Sequence, residues 1–178
     1  MQKLGDGFRK GIEFIKELVL VVLVALLFTS FIVSHNKVPT ASMVSTINEG
    51  DHLLTNMVPY YYRDPEFGEI VVFKNGEESW VKRVIGLPGD VIDIRDGQVY
   101  VNEVVIDESR YLAPNITSEP GFSHVEFPYT VPEGNYFLMG DNRENSKDSR
   151  YIGAIERDKI YGKAWIKIYP FNQVGLLE

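Results

Sequence analysis

Cysteine is missing from all 178 residues. The chain therefore has no disulfide framework, no thiolate nucleophile and no thiolate metal site. Histidine is scarce. His35, His52 and His124 show no i, i+4 spacing that would set two imidazoles on one helix face, so the spacing suggests no metal site. A basic excess is also lacking: the formal net charge is −7, which gives no electrostatic reason to expect nucleic acid as a partner. Hydrophobic residues at 44% and charged residues at 24% argue against a disordered chain. The length suits one domain with a small insertion.

Charge is absent in a second, local sense. From Leu18 to Asn36 there is no Asp, Glu, Lys or Arg, and the run LVLVVLVALLFTSFIV is almost wholly apolar. At ~1.5 Å per residue a helix of this length crosses a ~30 Å hydrocarbon core with little tilt. A buried soluble helix would show a polar side over such a span. Lys3, Arg9, Lys10 and Lys16 precede the run, and Lys37 alone follows it before Arg63. The positive-inside rule then puts residues 1–17 in the cytoplasm, 18–36 in the bilayer and 37–178 outside. The run is long for a signal-peptide core, and the nearest small-residue site, ending at Ala41, carries Pro39 two positions earlier. An uncleaved anchor is expected.

Beyond residue 37 strand signals dominate. Ile70–Phe73 is a β-branched run between Gly68 and Asn75-Gly76, and Trp80–Ile85 stops at Gly86-Leu87-Pro88-Gly89. Asp96-Gly97 separates VIDI from QVYV, a hairpin signal, and Asn102-Glu103 suggests a further tight turn. Strands are also expected at Tyr136–Met139 and Lys163–Ile168, the latter alternating Ala164, Ile166 and Ile168 with Lys163, Trp165 and Lys167. The fold expected is mainly β, a mostly antiparallel domain with one N-terminal transmembrane helix, in which residues near 91–135 form a looser β-rich insertion.

A hydrolase without cysteine or clustered histidines has few routes to a nucleophile, and serine with a neutral lysine is one. The lysine pKa of ~10.4 must fall, and burial in an apolar pocket lowers it by ~3–5 units. Lys82 lies in the apolar strand Trp80-Val81-Lys82-Arg83-Val84-Ile85. Adjacent residues of a strand point to opposite faces, so one base can be buried while the other is paired or solvated. The competing reading makes both of them protective charges at a strand edge. Between Thr40 and Thr46 lie four hydroxyl side chains, Thr40, Ser42, Ser45 and Thr46, and chemistry alone does not choose among them. Likewise the run Asp141–Arg150 reads as a dense polar loop able to set carboxylates against guanidinium forks, or as a surface turn of compensating charges.

Four segments, in order, resemble the conserved boxes of bacterial type I signal peptidases. They are Pro39-Thr40-Ala41-Ser42-Met43, Gly50–Asn56, Phe67–Phe73 leading into Lys82–Asp90, and Gly140–Arg150. The last is the most specific. The resemblance implies a membrane-bound serine endopeptidase that removes signal peptides, with Ser42 as nucleophile and Lys82 as general base. It implies that Ser146 hydrogen-bonds the lysine amine, that Asp148 and Arg150 form a nearby ion pair, and that Asp141 and Arg143 support the loop. The Ser42 N–H and the hydroxyl of Thr40 would meet the oxyanion. Val38, Met43, Ile47, Leu53, Val72 and Val81 would line shallow pockets for small side chains before the cut, typically A-x-A, although residue type alone makes them core. No metal or organic cofactor is called for, and the partners implied are signal peptides and the lipid bilayer.

Two positions depart from the family pattern. Thr40 stands where serine is usual, keeping the hydroxyl but stiffer at χ1, and Ser45 stands where proline is usual. Two other readings compete. One is a catalytically silent tethered module that binds export signals. The other is a soluble self-cleaving repressor-type peptidase, against which stand the anchor and the lack of a DNA-binding helix pair. Tyr60-Tyr61-Tyr62 suggests either a headgroup contact or the packing of a β-domain.

Overall fold

The computed structural model describes residues 2–113, 115–121 and 125–177. His124 lies outside them. Helix α1, Gln2–Phe31, leads directly into strand β1, Val33–Lys37. The apolar stretch Lys10–Phe31 is long and apolar enough to cross a membrane, and the rest of the chain leaves it uncovered. The helix ends at Phe31, so residues 33–36 are strand, where the expected span of 18–36 had them in the helix. The reason is local: Ser34, His35 and Asn36 are polar, and β1 pairs antiparallel with β2, His52–Asn56, along its whole length. Tyr61 donates to the Phe31 carbonyl at 2.8 Å, satisfying one of the acceptors that a helix C-terminus leaves open. Of its two neighbours, Tyr60 is buried against Glu69 and Tyr62 is exposed.

Two antiparallel sheets follow. The larger contains β1, β2, β3 (Ile70–Asn75), β4 (Glu78–Gly86), β9 (Asn135–Met139), β10 (Ile155–Glu156) and β11 (Ile160–Tyr169), in the order β1-β2-β11-β3-β4-β9-β10. Strand β12, Gly175–Leu176, pairs with β11. The smaller sheet, in the order β7-β6-β5-β8, comes from the stretch inserted between β4 and β9: β5 (Val91–Arg95), β6 (Gln98–Val101), β7 (Val104–Val105) and β8 (Tyr129–Thr130). Both tight turns sit in it. Asp96 and Gly97 have φ of 53° and 75°, and Asn102 and Glu103 have 51° and 67°. Positive φ at both central residues is what a type I′ hairpin turn requires.

Strand β11 departs from simple alternation. Its register on β2 shifts between Ala164 and Ile166 and again between Lys167 and Tyr169. An extra residue reverses the faces of everything after it. Lys167 is therefore buried where alternation predicts Ile168, and it pairs with buried Asp51 at 2.6 Å.

Three apolar clusters hold the domain together. One of them, Val38, Met43, Ile47, Leu53, Ile70, Val72, Val81 and Ala164, lies under the segment that carries Ser42. Each of these side chains except Ala164 contributes roughly 1.5–3 kcal/mol on burial, so the Ser42 turn rests on a firm floor.

Candidate active site

Ser42 sits in a tight turn of residues 41–47, closed by Val44 N–H to Ala41 O at 3.2 Å and Ile47 N–H to Met43 O at 2.8 Å. Met43 and Ile47, buried on the same side, pin this turn to the core, which leaves Ser42 at the rim of a cleft. Asn142 holds the turn from the other side. Its N–H donates to the Ser42 carbonyl at 3.0 Å and its Nδ2 to the Ala41 carbonyl at 3.0 Å.

Lys82 reaches the same point from the middle of β4. Its Nζ lies 2.6 Å from Ser42 Oγ and 3.0 Å from the Val81 carbonyl. The side chain is 3% exposed. Burial lowers the Lys82 pKa from 10.5 to about 8, partly opposed by the charges of Asp148 and Asp141 and assisted by that of Arg150. At neutral pH roughly a tenth of the amine is then unprotonated, against well under a thousandth for a lysine in water. A base of this strength beside a hydroxyl is equipped to accept its proton.

Arg83 is buried as well, so neither base is solvated. It meets Asp141 through two bonds, Nε to Oδ1 at 2.9 Å and an Nη to Oδ2 at 2.8 Å. This fork fastens the strand bearing Lys82 to the loop after β9. Thr46 adds a bond to the same carboxylate at 2.6 Å, so Asp141 ties three segments together. The loop is braced internally too. Asp148 caps the short helix α2, Ser149–Ile152, takes a two-point bond from Arg150 at 2.9 Å and accepts Gly140 N–H at 2.9 Å. Arg143 donates to the Gly140 carbonyl at 3.0 Å and pairs with Glu108 of the insertion.

Gly140 is a residue that only glycine satisfies here. A Cβ on it would collide with Ser146 Oγ and with the Ser42 carbonyl. The same collision locates Ser146 beside the Ser42 backbone. Ser146 Oγ is buried and makes no hydrogen bond, so the expected bond to the Lys82 amine is not formed; Nζ is turned toward Ser42 and the Val81 carbonyl instead. Thr40 Oγ1 is 3.4 Å from Ser42 Oγ, a long contact with that hydroxyl.

The cleft beside the pair has a volume of about 330 Å³. Val38, Met43 and Val81 line it, with Trp80 and Pro39. Ile47, Leu53 and Val72 do not reach it. They lie fully buried in the cluster beneath, the core position that residue type alone suggests. Sequence reasoning overlooked Arg83, Asn142 and Glu108 as parts of the site. Arg83 carried a signal as a second base in an apolar strand and Asn142 by lying in the Gly140–Arg150 segment; Glu108 is an ordinary loop residue until the chain folds.

His35 and His52, far apart in sequence, meet on β1 and β2 with Nε2···Nδ1 at 2.9 Å. Among the described residues no group of three His, Asp or Glu gathers to hold a metal.

The residues that converge here stand within a known family. Residues 11–169 match the family described as signal peptidase, peptidase S26, and the chain belongs to it. Signal peptidase I S of Bacillus subtilis is 38% identical over 169 residues, covering 92% of this chain and 91% of its own. Signal peptidase I of Bacillus amyloliquefaciens is 34% identical over 168 residues, with 92% and 90% covered. A solved signal peptidase I from Enterococcus faecalis V583 is 34% identical and covers 57% of this chain and 97% of its own, with a TM-score of 0.47.

Proposed function

We propose that this protein removes signal peptides from exported preproteins, with Ser42 as nucleophile and Lys82 as general base. The observation that carries the reading is the 2.6 Å contact between a buried Lys82 amine and Ser42 Oγ, with the amine tuned to a pKa of about 8. Neutral Lys82 takes the hydroxyl proton as Ser42 attacks the scissile carbonyl, and the resulting ammonium protonates the leaving amine. A second cycle activates the water that hydrolyses the acyl-enzyme. The oxyanion is met by the Ser42 N–H and the Thr40 hydroxyl, which a rotation about χ1 frees from Ser42. Once Ser42 is acylated, Lys82 loses its acceptor there, and the Ser146 hydroxyl, buried beside Gly140 without a partner, is the replacement we assign.

Substrate binding follows from an unpaired edge. Strand β3 takes one edge of Glu78–Arg83, and β9 pairs with β4 only at Arg83, Val84 and Gly86. Among the described residues nothing pairs with the second edge of 78–82, which borders the cleft. An extended peptide adds there as a strand, its alternate side chains entering shallow apolar walls. Val38, Met43 and Val81 suit alanine methyls, while the buried Ile47, Leu53 and Val72 set the depth. The basic residues before the anchor favour a cytoplasmic N-terminus and a catalytic domain on the outer face of the cell membrane.

The test is cleavage of a preprotein with an A-x-A site by the full chain in detergent or liposomes, beside Ser42→Ala and Lys82→Ala. Cleavage after the second alanine, lost by at least 10³-fold in both variants, is expected. Binding without cleavage, equal in all three proteins, would favour the tethered binding module and discard the peptidase reading.

A further inference from the structure

Three segments bring the reacting groups together: the turn carrying Ser42, the strand carrying Lys82 and the loop carrying Ser146. A single turn of the insertion, residues 108–112, touches all three. It is closed by Tyr111 N–H to Glu108 O at 3.1 Å and Leu112 N–H to Glu108 O at 2.9 Å. The Tyr111 hydroxyl also donates to Glu108 Oε1 at 2.9 Å.

From this turn the Tyr111 carbonyl accepts a hydrogen bond from Ser45 Oγ at 2.7 Å, three residues beyond the nucleophile. The Tyr111 ring stacks on the Arg83 guanidinium at 4.1 Å, one residue beyond Lys82. Glu108 receives the Arg143 fork, and Arg143 in turn holds the Gly140 carbonyl beside Ser146. Arg83, Asp141 and Thr46 close the circuit from below.

We infer that the insertion acts as a positioning clamp for the peptidase reaction, and that Ser45 and Tyr111 are its contact points with the catalytic segments. The inference rests on the peptidase reading above. Its physical content is geometric. The turn that presents Ser42 is held by Asn142 on one side and by Ser45 on the other. A hydroxyl side chain at position 45 supplies a donor to the insertion, which no apolar residue there would do. Misplacing a reacting group by about 1 Å can cost up to about 10²-fold in rate, so an exposed side chain can affect turnover without touching substrate. Neither Ser45 nor Tyr111 lines the cleft, so substrate affinity is not expected to depend on them.

The experiment compares the full-length wild type with Ser45→Ala, Ser45→Thr and Tyr111→Ala. Two readouts are taken: steady-state cleavage of an A-x-A preprotein, and amide hydrogen exchange across residues 41–47. Ser45→Ala and Tyr111→Ala are expected to lower kcat about tenfold with KM unchanged and to speed exchange in that turn. Ser45→Thr, which keeps the hydroxyl, is expected to restore both. Wild-type kcat and wild-type exchange in Ser45→Ala and Tyr111→Ala would overturn the clamp, even if melting temperature fell. Failure of the wild type to cleave would instead overturn the peptidase reading, and the exchange data would still decide whether the clamp exists.

Discussion

The chemistry proposed for this site depends on one lysine held where a lysine is costly. Lys82 is buried, its pKa lies near 8 in the folded chain, and the ordinary value is 10.5. Below pH 8 the side chain is protonated in both folded and unfolded states, and the folded state bears the full penalty of the buried charge. Between pH 8 and 10.5 the unfolded chain holds the proton and the folded chain does not, so stability rises with pH across that window. Lys82→Met removes the penalty. The variant should therefore be more stable than the wild type at pH 7, by on the order of 2 kcal/mol after allowing for the lost hydrogen bonds. The gap should close as pH rises from 8 to 10.5. Thermal melts of both proteins across pH 6–11 measure it directly, and a Lys82→Met protein less stable at pH 7 would refute this account of the tuning. The predicted outcome means that stability and activity trade against each other at one residue.

At the scale of elements, the legible and illegible parts of the fold separate by whether the signal is local. The hairpins at Asp96-Gly97 and Asn102-Glu103 could be read because a two-residue turn states its own backbone conformation. Strands β3, β4, β9 and β11 announced themselves through β-branched and aromatic runs. Strand β1 did not: Val33–Lys37 is polar, and only its pairing with β2 makes it a strand. The bulge in β11 was likewise invisible, since it is created by the partner strand. Within the site, the box-like segments marked Ser42, Lys82 and the loop from Gly140, while the pairing of Arg83 with Asp141 depends on a 58-residue separation closed by folding. That pair is the joint between β4 and the loop. Breaking a buried ion pair leaves one charge without its partner, at a cost of about 3–5 kcal/mol. Asp141→Asn should lower stability by that order in chemical unfolding. Arg83→Met combined with Asp141→Leu should recover part of the loss. Asp141→Asn with wild-type stability would mean that the joint carries no weight.

Seen whole, the molecule is a helix suited to crossing a bilayer followed within a few residues by its catalytic domain. Only β1 and a short loop separate Phe31 from Ser42, so a bilayer crossed by α1 would hold the cleft close to its surface. The larger sheet supplies the unpaired edge of residues 78–82, where the proposed peptide would add, and the apolar floor beneath Ser42. The smaller sheet contributes through the turn at residues 108–112 and does not line the cleft. All of this serves one central claim, that a neutral Lys82 activates Ser42. The most direct measurement is the pH dependence of kcat/KM for preprotein cleavage by the wild type between pH 5.5 and 10, which reports groups of the free enzyme. The account predicts a rate rising about tenfold per pH unit and levelling off near pH 8, where the Lys82 amine loses its proton. A profile flat across this range, as a carboxylate base titrating at about pH 4 would give, would contradict it.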